Sequence, residues 1–296
     1  MAEDSTGYQL DKRQARLAFE RAANTYDEVS ALQQEVGQRL IERLDLIRMQ
    51  PRRILDLGAG TGVFSKVLLR RYHKAHVVAL DLAQAMLRHA RRRGSWLHKP
   101  ACVCADGEQL PFADDSFDFI FSNLMLQWCM DPEPVFTELR RVLAPGGLLL
   151  FTTFGPDTLM ELRASWEAVD GYTHVNRFTD LHDIGDALMH ARWAEPVMDS
   201  ERITVTYREL HTLMQDLKHL GAHNVTAGRP RGLTGRQRLR QVTQAYERFR
   251  QNGVLPASYE VVYGHAWSPV NKHAPAGAVD VPLSGMRARP PVPHRD

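Results

Sequence analysis

The stretch ILDLGAGTGVF, residues 54–64, sets an acid, Asp56, ahead of Gly58, Gly60 and Gly62. Glycines at every second position let a backbone turn approach a bound molecule closely. The spacing departs from the dinucleotide pattern G-x-G-x-x-G: Gly58 and Gly60 fit it, but Val63 stands where the third glycine belongs. The phosphate-cradling pattern G-x-x-x-x-G-K-S/T is missing as well. Asp56 would repel an anion, so the loop suits a nucleotide-like ligand that carries positive charge.

S-adenosylmethionine, with a sulfonium, an ammonium and no phosphate, meets both conditions. The run D-L-G-A-G-T-G resembles the first motif of class I methyltransferases, and further residues arrive in register. Asp81 ends the strand-like VALDL, where an acid can accept both ribose hydroxyls through charge-assisted bonds. Asp106 in CADGEQLPF matches the family's adenine-amine contact. Asn123 and Leu124 in FSNLMLQW fall where the methyl group is presented, and LRRVLAPGGLLLFTTF matches the segment leading into strand five. The expected cofactor set is Asp56, Gly58, Ala59, Gly60, Gly62, Asp81, Leu82, Met86, Asp106, Gly107 and Asn123.

These residues need a frame that gathers strand ends. Residues 10–48 read helical, with Ala15, Phe19, Ala22, Tyr26 and Val29 on one face. From 53 onward apolar strands alternate with amphipathic helices: RILDLG, VFSKVLLRRY, HVVALDL, AQAMLRHARRR, ACVCAD, FDFIFSN and DPEPVFTELRRVLAP, after which Gly146-Gly147 turns the chain into LLLFTTF. Unbroken apolar strands separated by helices predict a parallel sheet covered on both faces. The expected fold class is α/β, and the resemblance to class I methyltransferases implies a Rossmann-like, mostly parallel seven-stranded sheet with a helical insertion before the last strand. One methyltransferase domain is expected over 1–267. It holds a helical cap (10–48), a cofactor-binding core (53–155) and acceptor-side elements (156–267) that include the insertion 208–255. The proline-rich remainder, 268–296, reads as a disordered tail.

Composition bounds the function. The 296 residues are 44% hydrophobic with a formal net charge of +2, so no global field points to nucleic acid. RHARRR (88–93) and GRQRLRQ (235–241) read as solvated helix faces or, alternatively, a surface for an acidic partner. Three cysteines, Cys102, Cys104 and Cys129, form no disulfide framework and suggest a reducing compartment. No signal peptide is legible in MAEDSTGYQLDKRQ, and no apolar run reaches the ~20 residues of a membrane span. The expectation is a cytoplasmic protein without metal, membrane or nucleic-acid partner. His219 and His223 lie four apart, and surface roles suit them better than metal binding.

The acceptor is written elsewhere, because this fold hosts many of them. FERAANTYDEVSALQQEVGQRL, SNLMLQWC, HVNRF, DLKHLGAHNV with GRPRGLTGRQRL, and SYEVVYGHAW together resemble the malonyl-[acyl-carrier protein] O-methyltransferase family of biotin synthesis. The resemblance runs from about residue 12 to 267 and includes the insertion. It implies methyl esterification of a malonyl carboxylate on an acyl-carrier protein bearing malonyl-phosphopantetheine, or on malonyl-CoA. A carboxyl group with a solution pKa of about 4 is already ionised at neutral pH, so no general base is required. Arg177 in HVNRF is the candidate cation for that carboxylate, Trp128 the candidate wall of the methyl pocket, and Tyr26 with Phe19 the candidates to close over the cofactor from the N-terminal helix. Lys218, Arg229, Arg231, Arg236, Arg238 and Arg240 form a basic stretch suited to an acidic carrier. Three alternatives stay open: methylation of another small-molecule acid or quinone precursor, cofactor binding without turnover, and RNA methylation. The near-neutral charge and SNLM after strand four weigh against the last.

Overall fold

The computed structural model describes residues 10–94, 98–222 and 235–272. The helical cap divides into α1 (Lys12–Ala22), α2 (Tyr26–Val29) and α3 (Ala31–Arg43). The periodic run 15–29 is therefore not one helix. The chain turns after Ala22, so Tyr26 and Val29 sit on a separate short piece. Asp11 caps α1 by accepting from the backbone of Gln14, as a short acidic side chain does at a helix start.

The core continues as β1 (Arg53–Leu57), α4 (Val63–Arg71), β2 (His76–Asp81), α5 (Gln84–Arg93), β3 (Ala101–Cys104), β4 (Phe117–Asn123), α6 (Pro132–Val142) and β5 (Leu143–Phe154). After it come α7 (Met160–Glu167), α8 (Leu181–His190), β6 (Ala194–Tyr207), α9 (Leu210–His219), α10 (Arg236–Tyr246) and β7 (Leu255–Trp267). All seven strands form one sheet in the order β3-β2-β1-β4-β5-β7-β6, and only the pairings made by β7 are antiparallel. Helices α9 and α10 lie in the insertion between β6 and β7, as the sequence predicts.

Strand periodicity decides the two cores, since neighbouring residues face opposite sides. Ile54, Phe119, Phe121, Leu148, Leu150, Val261 and Tyr263 meet α3, α4, α7, α9 and α10. Leu55, Leu57, Ile120, Leu149, Phe151 and Val262 meet α6 and α8. Each fully buried side chain of this size contributes roughly 1.5–3 kcal/mol. Gly146 and Gly147 do not precede strand five but sit inside it. Phe117 pairs with Leu143 and Phe119 with Leu148, so residues 144–147 form a bulge, with Gly146 at φ +72°.

The region from 268, expected as part of a disordered tail, begins packed. Ser268 exchanges backbone hydrogen bonds with Gly146 and Gly147. The buried Lys272 ammonium donates to the Arg141 and Leu143 carbonyls at 2.8 Å each and pairs with Asp115. Proline content concealed this, because a cation at the carbonyl end of α6 is a tertiary contact. Among the described residues no helix is long and apolar enough to cross a membrane.

Candidate active site

One cavity opens at the carboxyl ends of β1, β2 and β4, beside the loop after β3. Open α/β sheets place ligands there, because the loops leaving parallel strands converge at that edge. The glycine loop is built from the backbone upward. The Gly58 and Ala59 amides both donate to the Leu80 carbonyl at 2.9 Å, tying the turn to β2. Gly58, Gly60 and Gly62 all have positive φ, and their surroundings separate their roles. A Cβ on Gly60 would meet nothing within 4 Å, and Gly60 faces the cavity. A Cβ on Gly62 would stand 2.6 Å from both Cα and Cβ of Ala90 on α5. Gly62 thus permits close packing of α4 against α5.

Asp81 is half-buried at the cavity wall. Its two oxygens accept from the Gly60 amide at 2.9 Å and the Ala83 amide at 2.8 Å. Burial raises its pKa to about 6 against the pull of those amides. Two of its lone pairs remain for hydroxyl donors. Tyr26 lies in the same wall, and burial beside Asp81 pushes its phenol well above the usual range. Met86, fully buried, packs with Phe19 and Tyr26 to form an apolar slot. Across the cavity, Gly107 lies under Met125, and Asp106 accepts from the Glu108 amide.

A residue the sequence did not single out reaches this end. The Lys12 ammonium, at the first position of α1, lies 2.6 Å from Asp106 and 2.7 Å from Glu108. Phe19 on α1 meets Trp128 edge to face at 5.0 Å, and Glu20 accepts from the Gln84 and Ala85 amides at the start of α5. Helix α1 is thereby fastened across this end of the cavity by a salt bridge, a ring pair and a helix cap. A free amphipathic periodicity shows that such a helix exists but not where it docks.

Gly58, Gly60, Asp81, Leu82, Met86, Asp106, Gly107, Asn123, Tyr26 and Trp128 all line this one cavity. Asp56, Ala59, Gly62 and Arg177 do not. Asp56 is only 2% exposed and accepts from Ser65 on α4 at 2.5 Å, and burial lifts its pKa to about 7. It braces the loop from behind rather than facing a ligand's charge, because it shares the Ile54 side of β1. Arg177 is exposed, while Asn176 and Phe178 on either side of it enter the cavity. Asn123 serves the site as a tie. Its amide donates to the Gln33 carbonyl at 2.9 Å and accepts from Thr152 at 2.8 Å, fixing α3 to the ends of β4 and β5.

Beyond Asn123 the cavity continues between Gln33, Leu124, Phe154, Thr158, Asn176, Phe178, Leu217 and Tyr259. Phe154 contacts Phe178 and Tyr259, each with ring centroids 5.7 Å apart. This second chamber is apolar with a few amide and hydroxyl groups. Among the described residues its wall carries no lysine or arginine. Cys129 also faces the cavity, and burial pushes its thiol up to about 12, so it stays protonated. Arg229, Arg231 and His223 lie outside the described residues, and Arg236, Arg238 and Arg240 are exposed on α10.

Residues 55–151 match a family described as "Methyltransferase domain". Over 285 residues the chain is 50% identical to the malonyl-[acyl-carrier protein] O-methyltransferase of Halorhodospira halophila (strain DSM 244 / SL1), covering 95% of this chain and 97% of that protein. It is 53% identical over 270 residues to the protein of the same name from Laribacter hongkongensis (strain HLHK9), covering 88% and 91%. Two solved structures share the fold at low identity. One is a SAM-dependent methyltransferase of Thermotoga maritima, with TM-score 0.52, 16% identity, and 86% of this chain and 99% of that chain covered. The other is a protein of Bacillus halodurans C-125, with TM-score 0.57, 19% identity, and 79% and 98% covered.

Proposed function

The chain belongs to the malonyl-[acyl-carrier protein] O-methyltransferases, and from that membership we propose how its cavity works. It is an S-adenosylmethionine-dependent methyltransferase, and the acceptor is the free carboxylate of a malonyl group on acyl-carrier protein. The observation that carries this reading is the extent of the likeness. About half the residues are identical across 95% of the chain, far beyond the 55–151 segment common to methyltransferases in general. Most of the elements that build the acceptor chamber, α3, the 171–179 segment, α9 and β7, lie outside that segment, while Leu124 comes from within it.

The donor fits the first chamber on chemical grounds. Asp81 offers free lone pairs to a pair of hydroxyls, Gly60 leaves room for close approach, and the slot between Met86, Leu82 and Gly107 suits a flat base. Asp106 is the partner for an exocyclic amine, with Lys12 holding its other side. S-adenosylmethionine supplies an electrophilic methyl group. A carboxylate oxygen forms the new C–O bond as the C–S bond breaks, and the electron pair stays on sulfur. No proton moves, so the chain needs no base. Its work is alignment and exclusion of water, and holding two reactants in attack geometry contributes roughly 7–11 kcal/mol. Phe19, Trp128, Phe154, Phe178 and Tyr259 provide the dry walls.

The carrier itself would dock through α10. Arg236 and Arg240 lie one turn apart beside the half-exposed Leu239, and the three border a shallow groove with Thr243 and Gln244. Among the described residues neither arginine has an ion-pair partner. A basic rim around an apolar contact suits an acidic helical partner.

The test is a methyl-transfer assay with labelled S-adenosylmethionine. Malonyl-carrier protein, malonyl-CoA and acetyl-carrier protein are offered in parallel. Label on malonyl acceptors and none on the acetyl form is the expected result; label on the acetyl form would overturn the carboxylate as acceptor.

A further inference from the structure

Removing Arg177 from the cavity leaves a question of charge. The carboxylate must enter a chamber whose described wall has no cation, while the charged residues of the cavity, Lys12, Asp81 and Asp106, all lie at the cofactor end. Two uncharged groups in the chamber stand out. The Gln33 side-chain oxygen and the Asn176 side-chain oxygen are buried without any hydrogen-bond partner. Asn176 is 8% exposed as a whole. Nor does any bond among the described residues reach either amide nitrogen. Buried amides are ordinarily matched; the unmatched atoms are acceptors as placed, so an anion is met by these two groups through their NH2 sides. An amide presents an acceptor or two donors according to which way it is turned.

Both side chains stand on anchored backbone. Gln33 is fixed through its own carbonyl by Asn123, which Thr152 orients in turn. One turn further on, Gly37 lets α3 lie close against the sheet side. A Cβ there would stand 2.1 Å from Phe64 and 2.8 Å from the Asn123 amide. Asn176 follows the buried Val175 and precedes Phe178, which is packed against Phe154.

We propose that Gln33 and Asn176 form a neutral amide clamp that binds the acceptor carboxylate, in place of an arginine. The inference rests on the carboxylate reading of the acceptor. Two amide N–H donors orient one oxygen and leave lone pairs on the other free to attack. A guanidinium fork would engage both oxygens in charge-assisted bonds and hold back their electrons. The clamp also discriminates, since an acyl group lacking the carboxylate leaves both buried amides unpaired.

The experiment uses the full chain with Gln33→Met, Asn176→Leu and Asn176→Asp. Steady-state constants are measured for malonyl-carrier protein, acetyl-carrier protein serves as a competitive inhibitor, and S-adenosylmethionine binding is titrated directly. Losing one bond to a charged group corresponds to about a tenfold to hundredfold rise in the malonyl KM. Cofactor affinity should stay within about twofold, and inhibition by the acetyl form should hold or tighten, since the apolar replacements leave no buried amide unpaired when the carboxylate is missing. Asn176→Asp should recover activity as the pH is lowered, because its own carboxylate then loses its charge. An unchanged malonyl KM in Gln33→Met, or an equal loss of acetyl-carrier inhibition, overturns the clamp even if Asn176 variants fold poorly. A wild-type enzyme that leaves malonyl-carrier protein unmethylated would instead overturn the acceptor reading on which the clamp depends.

Discussion

Gly60 and Gly62 stand two residues apart in one loop, both with positive φ, yet alanine at each should fail in a different way. Left-handed backbone costs an alanine roughly 1–2 kcal/mol at either position. At Gly60 that is the whole cost to folding, because its new methyl meets nothing. At Gly62 the methyl would lie 2.6 Å from the Ala90 backbone, so α4 and α5 must part. Overpacking of that kind adds roughly 1–3 kcal/mol, for a total of about 2–5 kcal/mol. A domain of this size loses roughly 2–4 °C of melting temperature per kcal/mol. Gly62→Ala should therefore melt well below Gly60→Ala. Binding should reverse the order: the Gly60 methyl enters the space of the donor, whereas folded Gly62→Ala keeps its cavity lining. Calorimetric melts paired with titration of S-adenosylmethionine read both quantities. If Gly60→Ala were the less stable variant and bound the donor normally, the assignment of one glycine to ligand and the other to packing would be wrong.

Three further outcomes follow from the same geometry. Burial raises Asp56 to about 7 and Asp81 to about 6, so between the ordinary aspartate range and those values the folded chain holds protons that the unfolded chain has released. The stability these groups contribute is present at low pH and is lost as pH rises through about 6 to 7. Donor affinity should climb over the same window as Asp81 ionises, and Asp81→Asn should flatten that climb in titrations at about pH 5 and about pH 8. Asn123→Ala removes two hydrogen bonds worth about 2 kcal/mol together. It should lower the urea midpoint and, by releasing Gln33, raise the acceptor KM more than it weakens donor binding. Arg236→Glu with Arg240→Glu should raise the KM for malonyl-carrier protein several-fold while sparing malonyl-CoA, and added salt should erase most of the difference.

The sheet and the residues that meet around one end of its cavity were legible because both are local. Unbroken apolar strands, helices between them, and acids at the strand ends, Asp81 and Asp106, each declare themselves within a few residues. What stayed hidden depends on neighbours distant in sequence. Asp56 reads as a ligand-facing acid until Ser65 on α4 is seen to hold it. Gly62 reads as a loop glycine until Ala90 comes up against it. Arg177 drew attention because it is charged, but the chain sends its uncharged neighbours Asn176 and Phe178 inward. Lys12 looks like any solvated helix residue until α1 lies across Asp106. Lys272 was hidden by the prolines beyond it, and its partners are carbonyls more than a hundred residues away. Composition marks charge, whereas the described wall of this second chamber carries none.

The central claim, methylation of a carboxylate presented by a carrier, meets its most direct test in the intact mass of malonyl-carrier protein after incubation with enzyme and S-adenosylmethionine. The account predicts a gain of one methylene, located by fragmentation on the malonyl group and removed by ester hydrolysis. A gain located on a carrier side chain, or no gain with malonyl-carrier under conditions where another small acid is methylated, would contradict it.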